Sequence, residues 1–170
     1  MDKIDLIILK QLQKNATIPL TELSKKAGIS TTPCWNRIKK MEEEKIITSK
    51  TTILNNEKLN LSVTVFLSIS ISDFSETWLN NFSEVINRYE EIIEAHRLTG
   101  SNSDYLLKIL SPSIKEYDSF QQNLIQEIKC TNMSSSISLH TIKKSHILPL
   151  NHVKFKIINK TCSTYIKICC

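Results

Sequence analysis

The segment GISTTPCWNRIKKMEEEKII, from Gly28 to Ile47, places hydroxyl side chains at the start of a predicted helix and basic side chains on one of its faces. We predict that this helix runs from Thr31 to Glu44, with Ser30 as its N-cap. Successive residues of a helix are about 100° apart, so apolar and polar side chains separate onto opposite faces. The apolar face holds Cys34, Ile38 and Met41, and the polar face holds Thr32, Asn36 and Lys39, flanked by Trp35 and Lys40.

Two shorter helices are predicted upstream of this segment. Apolar residues recur at helical spacing over residues 3–14, and the sequence TELSKKAG predicts a second helix that ends at Gly28. Two helices joined by a tight glycine-containing turn, the second with a basic outer face, form a helix-turn-helix. Hydroxyl groups and the N-terminal amides of a helix can donate hydrogen bonds to phosphates, and the Asn36 side chain can pair with an adenine edge in the major groove of DNA. A solvent-exposed helix in a helical bundle has the same pattern, so a bundle that does not bind DNA is an alternative at this point.

The middle of the chain predicts a second fold. Residues 46–55 predict a short extended linker strand. The pattern then alternates as strand 62–72, helix 75–90, strands 91–100 and 104–110, helix 113–130 and strand 133–144. This order is that of the ferredoxin-like βαββαβ arrangement, an antiparallel sheet with helices on one face. Phe66, Ile92 and Leu98 do not all fit the helix-covered face, so we expect a second copy of the chain to cover the other face.

Composition and charge narrow the class of protein. The chain has 170 residues and a formal net charge of +5, divided as +4 over residues 1–60, −3 over 61–150 and +4 over 151–170. A basic end beside an acidic middle favours contact with a polyanion at one end. No apolar run is long enough to span a membrane, and the N-terminus lacks a secretory pattern, so we expect a cytoplasmic protein. The five cysteines form no C-x-x-C pair, and we expect no metal or cofactor.

Several stretches resemble the Lrp/AsnC (leucine-responsive/asparagine-responsive) family of transcriptional regulators. The resemblance to the family's helix-turn-helix lies in DKIDLIILKQLQKNATIPLTELS, ELSKKAGIS, TTPC and NRIKKMEEEKII, and it continues in TTILNNEKLN. EEIIEAHRLTGSNSDYLLKIL resembles the strand-turn-strand of the family's ligand-sensing domain. The resemblance covers residues 2–150 and implies an α+β fold. Its parts are a winged helix-turn-helix at 1–50, a linker strand at 51–61, a ferredoxin-like effector-sensing and oligomerisation domain at 62–150, and an atypical basic extension at 151–170.

The resemblance also implies partners and site residues. Double-stranded DNA would contact Ser30, Thr31, Thr32, Trp35, Asn36, Arg37, Lys39 and Lys40. A small effector, typically an amino acid, would contact Thr99, Gly100, Asn102, Asp104 and Tyr105. Copies of the chain would form dimers that gather into larger rings such as an octamer. No catalytic residue is expected.

The predicted effector loop departs from the family pattern. The family typically has Gly-Asp-x-Asp-Tyr, whereas residues 100–105 read Gly-Ser-Asn-Ser-Asp-Tyr, with one residue more and without the first acid. The absence of a carboxylate at this point removes a partner for the ammonium group of an effector.

Other functions share this two-domain plan. Sirohaem decarboxylases are similar to the family, and such an enzyme would need His96, Arg97 and His140 to line a large tetrapyrrole pocket. An architectural DNA-binding protein without an effector would fit the altered loop. Residues 151–170 could add a strand, form a basic arm on DNA or be a non-native extension, and we expect a poorly packed appendage.

Overall fold

The computed structural model of the chain describes residues 1–100 and 103–153. These residues belong to two compact units, one formed by Met1–Thr52 with residues 144–153, and one formed by Ile53–Lys143. Most of the extension predicted at 151–170 lies outside the described residues. Within them, no helix has both the length and the apolar character that a bilayer crossing requires.

The first unit contains the three predicted helices, α1 (Lys3–Lys14), α2 (Leu20–Ala27) and α3 (Thr31–Glu43). Asp2 caps α1, since its carboxylate accepts hydrogen bonds from the amides of Ile4 and Asp5, and the Asp5 carboxylate accepts one from the amide of Asp2. This reciprocal pair satisfies amides that the first helical turn leaves unbonded.

Gly28 makes the turn between α2 and α3. Its φ of 68° lies in the left-handed region, which glycine adopts without steric cost. The amide of Gly28 donates to the carbonyl of Lys25, and the amide of Ile29 donates to the carbonyl of Ser24, each at 3.1 Å. The turn therefore satisfies the last carbonyls of α2 while it redirects the chain into α3.

The core of the first unit lies where its three helices meet. It consists of the buried residues Ile8, Leu9, Leu23, Ala27, Cys34, Ile38 and Met41. Leu150, far along the chain, packs against the same cluster. Next to it, the Leu148 amide donates to Gln13 Oε1 at 2.6 Å, and Gln13 Nε2 donates to the Leu148 carbonyl at 3.5 Å. Sequence patterns did not predict that the chain packs against α1 again at Leu148 and Leu150, because two apolar residues are too few to show a periodicity.

The linker strand predicted at 46–55, and at 51–61 by resemblance, does not form in the described chain. Lys45 adopts a left-handed φ of 57° after α3, and the amides of Ile46 and Ile47 donate to the carbonyl of Met41. Ile47 thereby packs on the core of the first unit. Only a short 3₁₀ turn, Glu57–Leu59, follows. The β-branched residues here favour a strand only where a partner strand is available.

The second unit confirms the ferredoxin-like prediction. Its elements are β1 (Val63–Ser70), α4 (Glu76–Arg88), β2 (Ile92–Arg97), β3 (Tyr105–Ser111), α5 (Ile114–Glu127) and β4 (Asn132–Ile137). The strands form one antiparallel sheet in the order β2-β3-β1-β4. Apolar side chains at every second residue in the middle of β1 and β3 are fully buried, namely Val65, Leu67, Ile69, Leu107 and Ile109. Aromatic and aliphatic residues of α4 and α5 complete this core.

Two details of the second unit differ from the sequence predictions. Ile92, expected to add to an exposed apolar face, packs against the core, because it pairs with the inward-facing Ile109. The last strand ends at Ile137 rather than at residue 144. The last hydrogen bond between this strand and β1 is donated by the Ser138 amide to the carbonyl of Thr64, which lies close to the first residue of β1. Leu139 and Ile142 beyond it are 97% and 93% exposed.

Candidate functional site

The two faces of α3 are those that the sequence predicted. Cys34, Ile38 and Met41 are buried, whereas the side chains of the opposite face are exposed to solvent. The exposed set consists of Thr32, Trp35, Asn36, Lys39 and Lys40. Since α3 has no acidic residue in its first turn, its N-terminal amides and hydroxyls meet an anion without a carboxylate beside them.

The start of α3 corrects one expectation. Ser30 occupies the N-cap position with extended backbone, but its side chain makes no capping hydrogen bond in the described structure. Only its carbonyl takes part in the helix, through a bond from the amide of Cys34 at 3.2 Å. The Ser30 hydroxyl is exposed, and because it accepts no hydrogen bond from the first amides of the helix, those amides remain available to a ligand. Thr31, expected at the surface, is half-buried.

Trp35 and Lys39 form a joint surface on the exposed face. Lys39 Nζ lies 5.1 Å from the centroid of the Trp35 ring, a distance at which a cation is attracted by the ring face. Lys40 Nζ lies 3.7 Å from Glu44 Oε1, and both side chains are well exposed. An ion pair of this kind contributes little to stability, so a phosphate group competes readily for Lys40.

Arg37, which was predicted to contact DNA, is half-buried and does not belong to this exposed face. Its Nη1 lies 2.6 Å from Asp2 Oδ2 and 2.7 Å from Asp5 Oδ1. The hydrogen bonds to Asp5 and Asp2 raise the pKa of Arg37. Burial works against ionisation of Asp2, but bonds from the Asp5 amide and from Arg37 outweigh it and lower the pKa of Asp2. The position follows from helix geometry, since residue 37 lies at the border between the two faces.

The predicted effector loop joins β2 to β3. Gly100 has a left-handed φ of 79°, and Thr99 is exposed. Asp104 is held at the sheet, because its carbonyl accepts from the Leu98 amide at 2.7 Å and its Oδ2 accepts from the Ile71 amide at 2.8 Å. The Asp104 carboxylate therefore has a structural role at the end of β1. Asn102 lies outside the described residues.

Tyr105, predicted as an effector contact, faces the core instead. It pairs with Ile69 across the sheet, is 6% exposed, and its ring packs against Trp78 and Phe82 with centroids 5.7 and 4.6 Å away. Its hydroxyl is buried without a hydrogen-bond partner among the described residues. Strand alternation explains the placement, since Tyr105 is in phase with Leu107 and Ile109.

The residues that an enzyme would need do not gather into a pocket. His96 and Arg97 lie on the edge strand β2 and are exposed, and His140 lies beyond the end of β4. His96 Nε2 is 3.5 Å from Glu94 Oε2, and the other oxygen of that carboxylate, Oε1, accepts a hydrogen bond from Lys108 Nζ at 2.6 Å. Across the described ranges, no group of three or more His, Cys, Asp or Glu side chains is placed to hold a metal ion.

Sequence reasoning also missed two concave regions of the first unit. One, of about 330 Å³, lies beside α3 and is lined in part by Trp35, Lys39 and Glu42. The other, of about 300 Å³, is mainly apolar and lies where Leu148 and Leu150 meet α1. Both depend on residues far apart in sequence, so periodicity within one helix could not indicate them.

Comparisons with known protein families match both units. Residues 1–48 match a family described as winged helix-turn-helix DNA-binding. Residues 64–148 match the Lrp/AsnC ligand binding domain. The glutamate uptake regulatory protein of Zymomonas mobilis is 41% identical to the chain over 150 residues, which are 88% of this chain and 91% of that protein.

Solved structures agree with these matches. An AsnC family transcriptional regulator from Agrobacterium tumefaciens superposes with a TM-score of 0.87 at 41% identity, covering 91% of this chain and 100% of the other. A transcriptional regulator from Neisseria meningitidis, solved in complex with L-methionine, gives a TM-score of 0.84 at 30% identity, covering 89% and 98%. These matches support a regulator and give no support to the decarboxylase alternative.

Proposed function

Since the chain belongs to the Lrp/AsnC family of DNA-binding transcriptional regulators, we propose that it reads operator DNA with the exposed face of α3. The observation that carries this proposal is the division of α3 into a buried side with Cys34, Ile38 and Met41 and an exposed side with Asn36 and Lys39. A helix held in this way can enter the major groove with its polar side forward.

The proposed roles follow from side-chain chemistry. The Asn36 amide can pair with the N6 and N7 positions of adenine. Lys39 and Lys40 attract phosphates, and the amides of the first turn of α3 bind a phosphate together with Ser30 and Thr32. Trp35 holds Lys39 over its ring and supports it at the groove edge. DNA binding also supports the cytoplasmic location expected from the sequence.

A salt titration tests the interaction of α3 with phosphates. A duplex selected from a random-sequence library by the wild-type protein would be titrated at several salt concentrations. Each lysine–phosphate interaction contributes ~0.9 to the slope of log K against log salt, so Lys39→Ala with Lys40→Ala should reduce the slope by ~2. Lys58→Ala with Lys115→Ala removes the same charge from the second unit and serves as the control. Equal slopes for the two double variants would contradict the proposal.

We further propose that the second unit binds an amino acid near the loop that joins β2 and β3. The complex of the Neisseria relative with L-methionine supports this class of ligand. Thr99, Gly100 and the anchored Asp104 are the described loop residues that remain candidates, whereas the buried Tyr105 hydroxyl is a poor one. A thermal shift screen of the twenty amino acids tests it, because a ligand at 100 times its Kd stabilises the folded state by ~2.7 kcal/mol. No shift with any of them would favour the architectural alternative.

A homodimer is the assembly that we propose for the chain. Phe66 lies on the sheet face opposite the helices and is 36% exposed, and Leu139 and Ile142 lie almost fully in solvent. Apolar side chains exposed to this extent favour a protein partner. Light scattering after size-exclusion chromatography should give at least twice the chain mass of 19.5 kDa, and Phe66→Glu should reduce that mass. A monomer at micromolar concentration would contradict this part of the proposal.

A further inference from the structure

Arg37 links the middle of α3 to the first turn of α1 through one nitrogen atom. Its Nη1 contacts the carboxylates of Asp2 and Asp5 at 2.6 and 2.7 Å. These carboxylates are themselves fixed, since the amide of Asp2 donates to Asp5 Oδ2 at 2.7 Å and the amide of Asp5 donates to Asp2 Oδ1 at 3.0 Å. Asp5 is buried. The first turn of α1 and the side of α3 thus share one hydrogen-bond network.

We propose that Arg37 is a positioning residue for DNA recognition, which holds α3 at a set rotation on α1 and makes no contact with DNA itself. This inference rests on the proposed function of α3 as the DNA-reading helix. It replaces the expectation that DNA contacts Arg37.

The need for such a residue follows from how α3 is packed. Cys34, Ile38 and Met41 hold it to the core by apolar contacts, and the hydrophobic effect has no directional preference. Side chains of a helix reach about 5–6 Å from its axis, so a rotation of roughly 20° moves their ends by ~2 Å. A hydrogen bond tolerates a distance change of only about 0.5 Å. Charge-assisted bonds to fixed carboxylates prevent that rotation.

Charge balance argues against direct contact between Arg37 and phosphate. One guanidinium faces two carboxylates, so the cluster carries a net charge of about −1 and repels a phosphate. Movement of Arg37 toward DNA would also leave the buried Asp5 carboxylate without its cation, which is costly. By contrast, Lys39 contacts the Trp35 ring and Lys40 contacts the exposed Glu44 carboxylate. Both lysines can give up these contacts for a phosphate at little cost in free energy.

The direction in which Asp5→Asn changes the affinity for DNA distinguishes a positioning role from a simple effect of charge. The substitution removes a negative charge from the proposed DNA-binding unit, so charge alone predicts tighter binding to any duplex. Positioning predicts instead that binding to the selected duplex weakens about tenfold, which is the value of roughly one base-edge hydrogen-bond pair. Binding to the non-specific duplex poly(dI-dC) should change less than about twofold. The control is Glu22→Gln, which removes one carboxylate from the exposed pair with Lys26 in the same unit and should leave the ratio of the two affinities unchanged.

The ratio of affinities also distinguishes positioning from a loss of folded protein. A smaller folded fraction lowers both affinities by the same factor and leaves their ratio as it was. If Asp5→Asn does not fold at the assay temperature, Asp2→Asn gives the same comparison at a half-exposed carboxylate. Arg37→Met should keep the wild-type salt slope, and Arg37→Lys should recover part of the specific affinity.

Two results would overturn the inference: specific binding by Asp5→Asn as tight as wild type or tighter, or a salt slope for Arg37→Met that is lower by ~0.9. If Lys39→Ala with Lys40→Ala lowers the slope in the same experiments, the proposed function stands and only the role of Arg37 is wrong. If wild-type protein selects no duplex, the proposed function fails and the inference fails with it.

Discussion

Replacing Tyr105 by phenylalanine should make the protein more stable. The Tyr105 hydroxyl is buried and has no hydrogen-bond partner among the described residues. Its ring lies against Trp78 and Phe82, and a phenylalanine ring keeps those contacts. The substitution therefore removes one polar oxygen from an apolar core and leaves the packing as it was.

The size of the gain follows from the cost of the unbonded hydroxyl. Burying a hydroxyl without a partner costs ~1–3 kcal/mol in proteins. Tyr105→Phe should raise the free energy of unfolding by that amount. For a domain of roughly 60–100 residues, each kcal/mol corresponds to ~4–8 °C in Tm. An increase in Tm of several degrees is thus expected for the second unit.

Tyr117 provides a matched control in the same core. It is 5% exposed, close to the 6% of Tyr105, but its hydroxyl lies 2.6 Å from Ser135 Oγ and is hydrogen-bonded to it. Tyr117→Phe removes one oxygen and one hydrogen bond, and should lower the free energy of unfolding by ~0.5–1.5 kcal/mol. The two substitutions are chemically identical and should act in opposite directions.

Urea unfolding monitored by tryptophan fluorescence, together with calorimetry, measures both variants. The m-value should match that of wild type, so that a shift in midpoint reports stability alone. A destabilised Tyr105→Phe variant, or changes of the same sign in both variants, would refute the reasoning. Either result would mean that the Tyr105 hydroxyl has a favourable partner in the folded protein.

Four further outcomes are expected. Gly28→Ala should lower the free energy of unfolding by ~1–2 kcal/mol, measured by urea titration, because φ is 68° while the space around the position is open. A chain ended after Ile147 should lose stability in its first unit relative to one ended after Val153, as followed by limited proteolysis, because Leu148 and Leu150 contact that unit. The pKa of Asp2 is lowered in the folded state, so the Asp2 carboxylate stabilises the fold at pH values above its ordinary pKa of 3.8, and this stabilisation is lost as the pH falls below 3.8. The difference in urea midpoint between wild type and Asp2→Asn should therefore shrink as the pH is lowered below 3.8. Burial raises the pKa of the Cys34 thiol, so iodoacetamide at neutral pH should modify the peptide that contains Cys34 only when the first unit unfolds, as mass spectrometry would show.

Periodicity predicted the elements of both units well. The helical spacing of Cys34, Ile38 and Met41 identified the buried side of α3, and alternation in β1 identified Val65 and Leu67 as core residues. Both are local patterns in which neighbouring residues determine which side chains share a face. The same local geometry predicted the exposed Asn36 and Lys39 on the proposed DNA-binding side.

The errors arose where a residue depends on a distant one. The hydrogen bonds of Arg37 were not predicted, because its partners Asp2 and Asp5 are more than thirty residues away in sequence. Tyr105 was predicted to contact an effector, although the register of β3 turns its side chain into the core. The prediction of a linker strand was wrong because no other strand of the described residues pairs with this segment.

The order of apolar and polar residues along the chain thus determined by itself the elements of the two units and which side of α3 meets solvent. Helical and strand periodicities act within a few residues, so one sequence suffices to detect them. Tertiary structure alone decided that Arg37 pairs with α1, that Leu148 and Leu150 return to the helix-turn-helix, and that the Tyr105 hydroxyl lies in a core without a partner among the described residues. These features depend on distances between side chains remote in sequence, which are set only when the elements pack together.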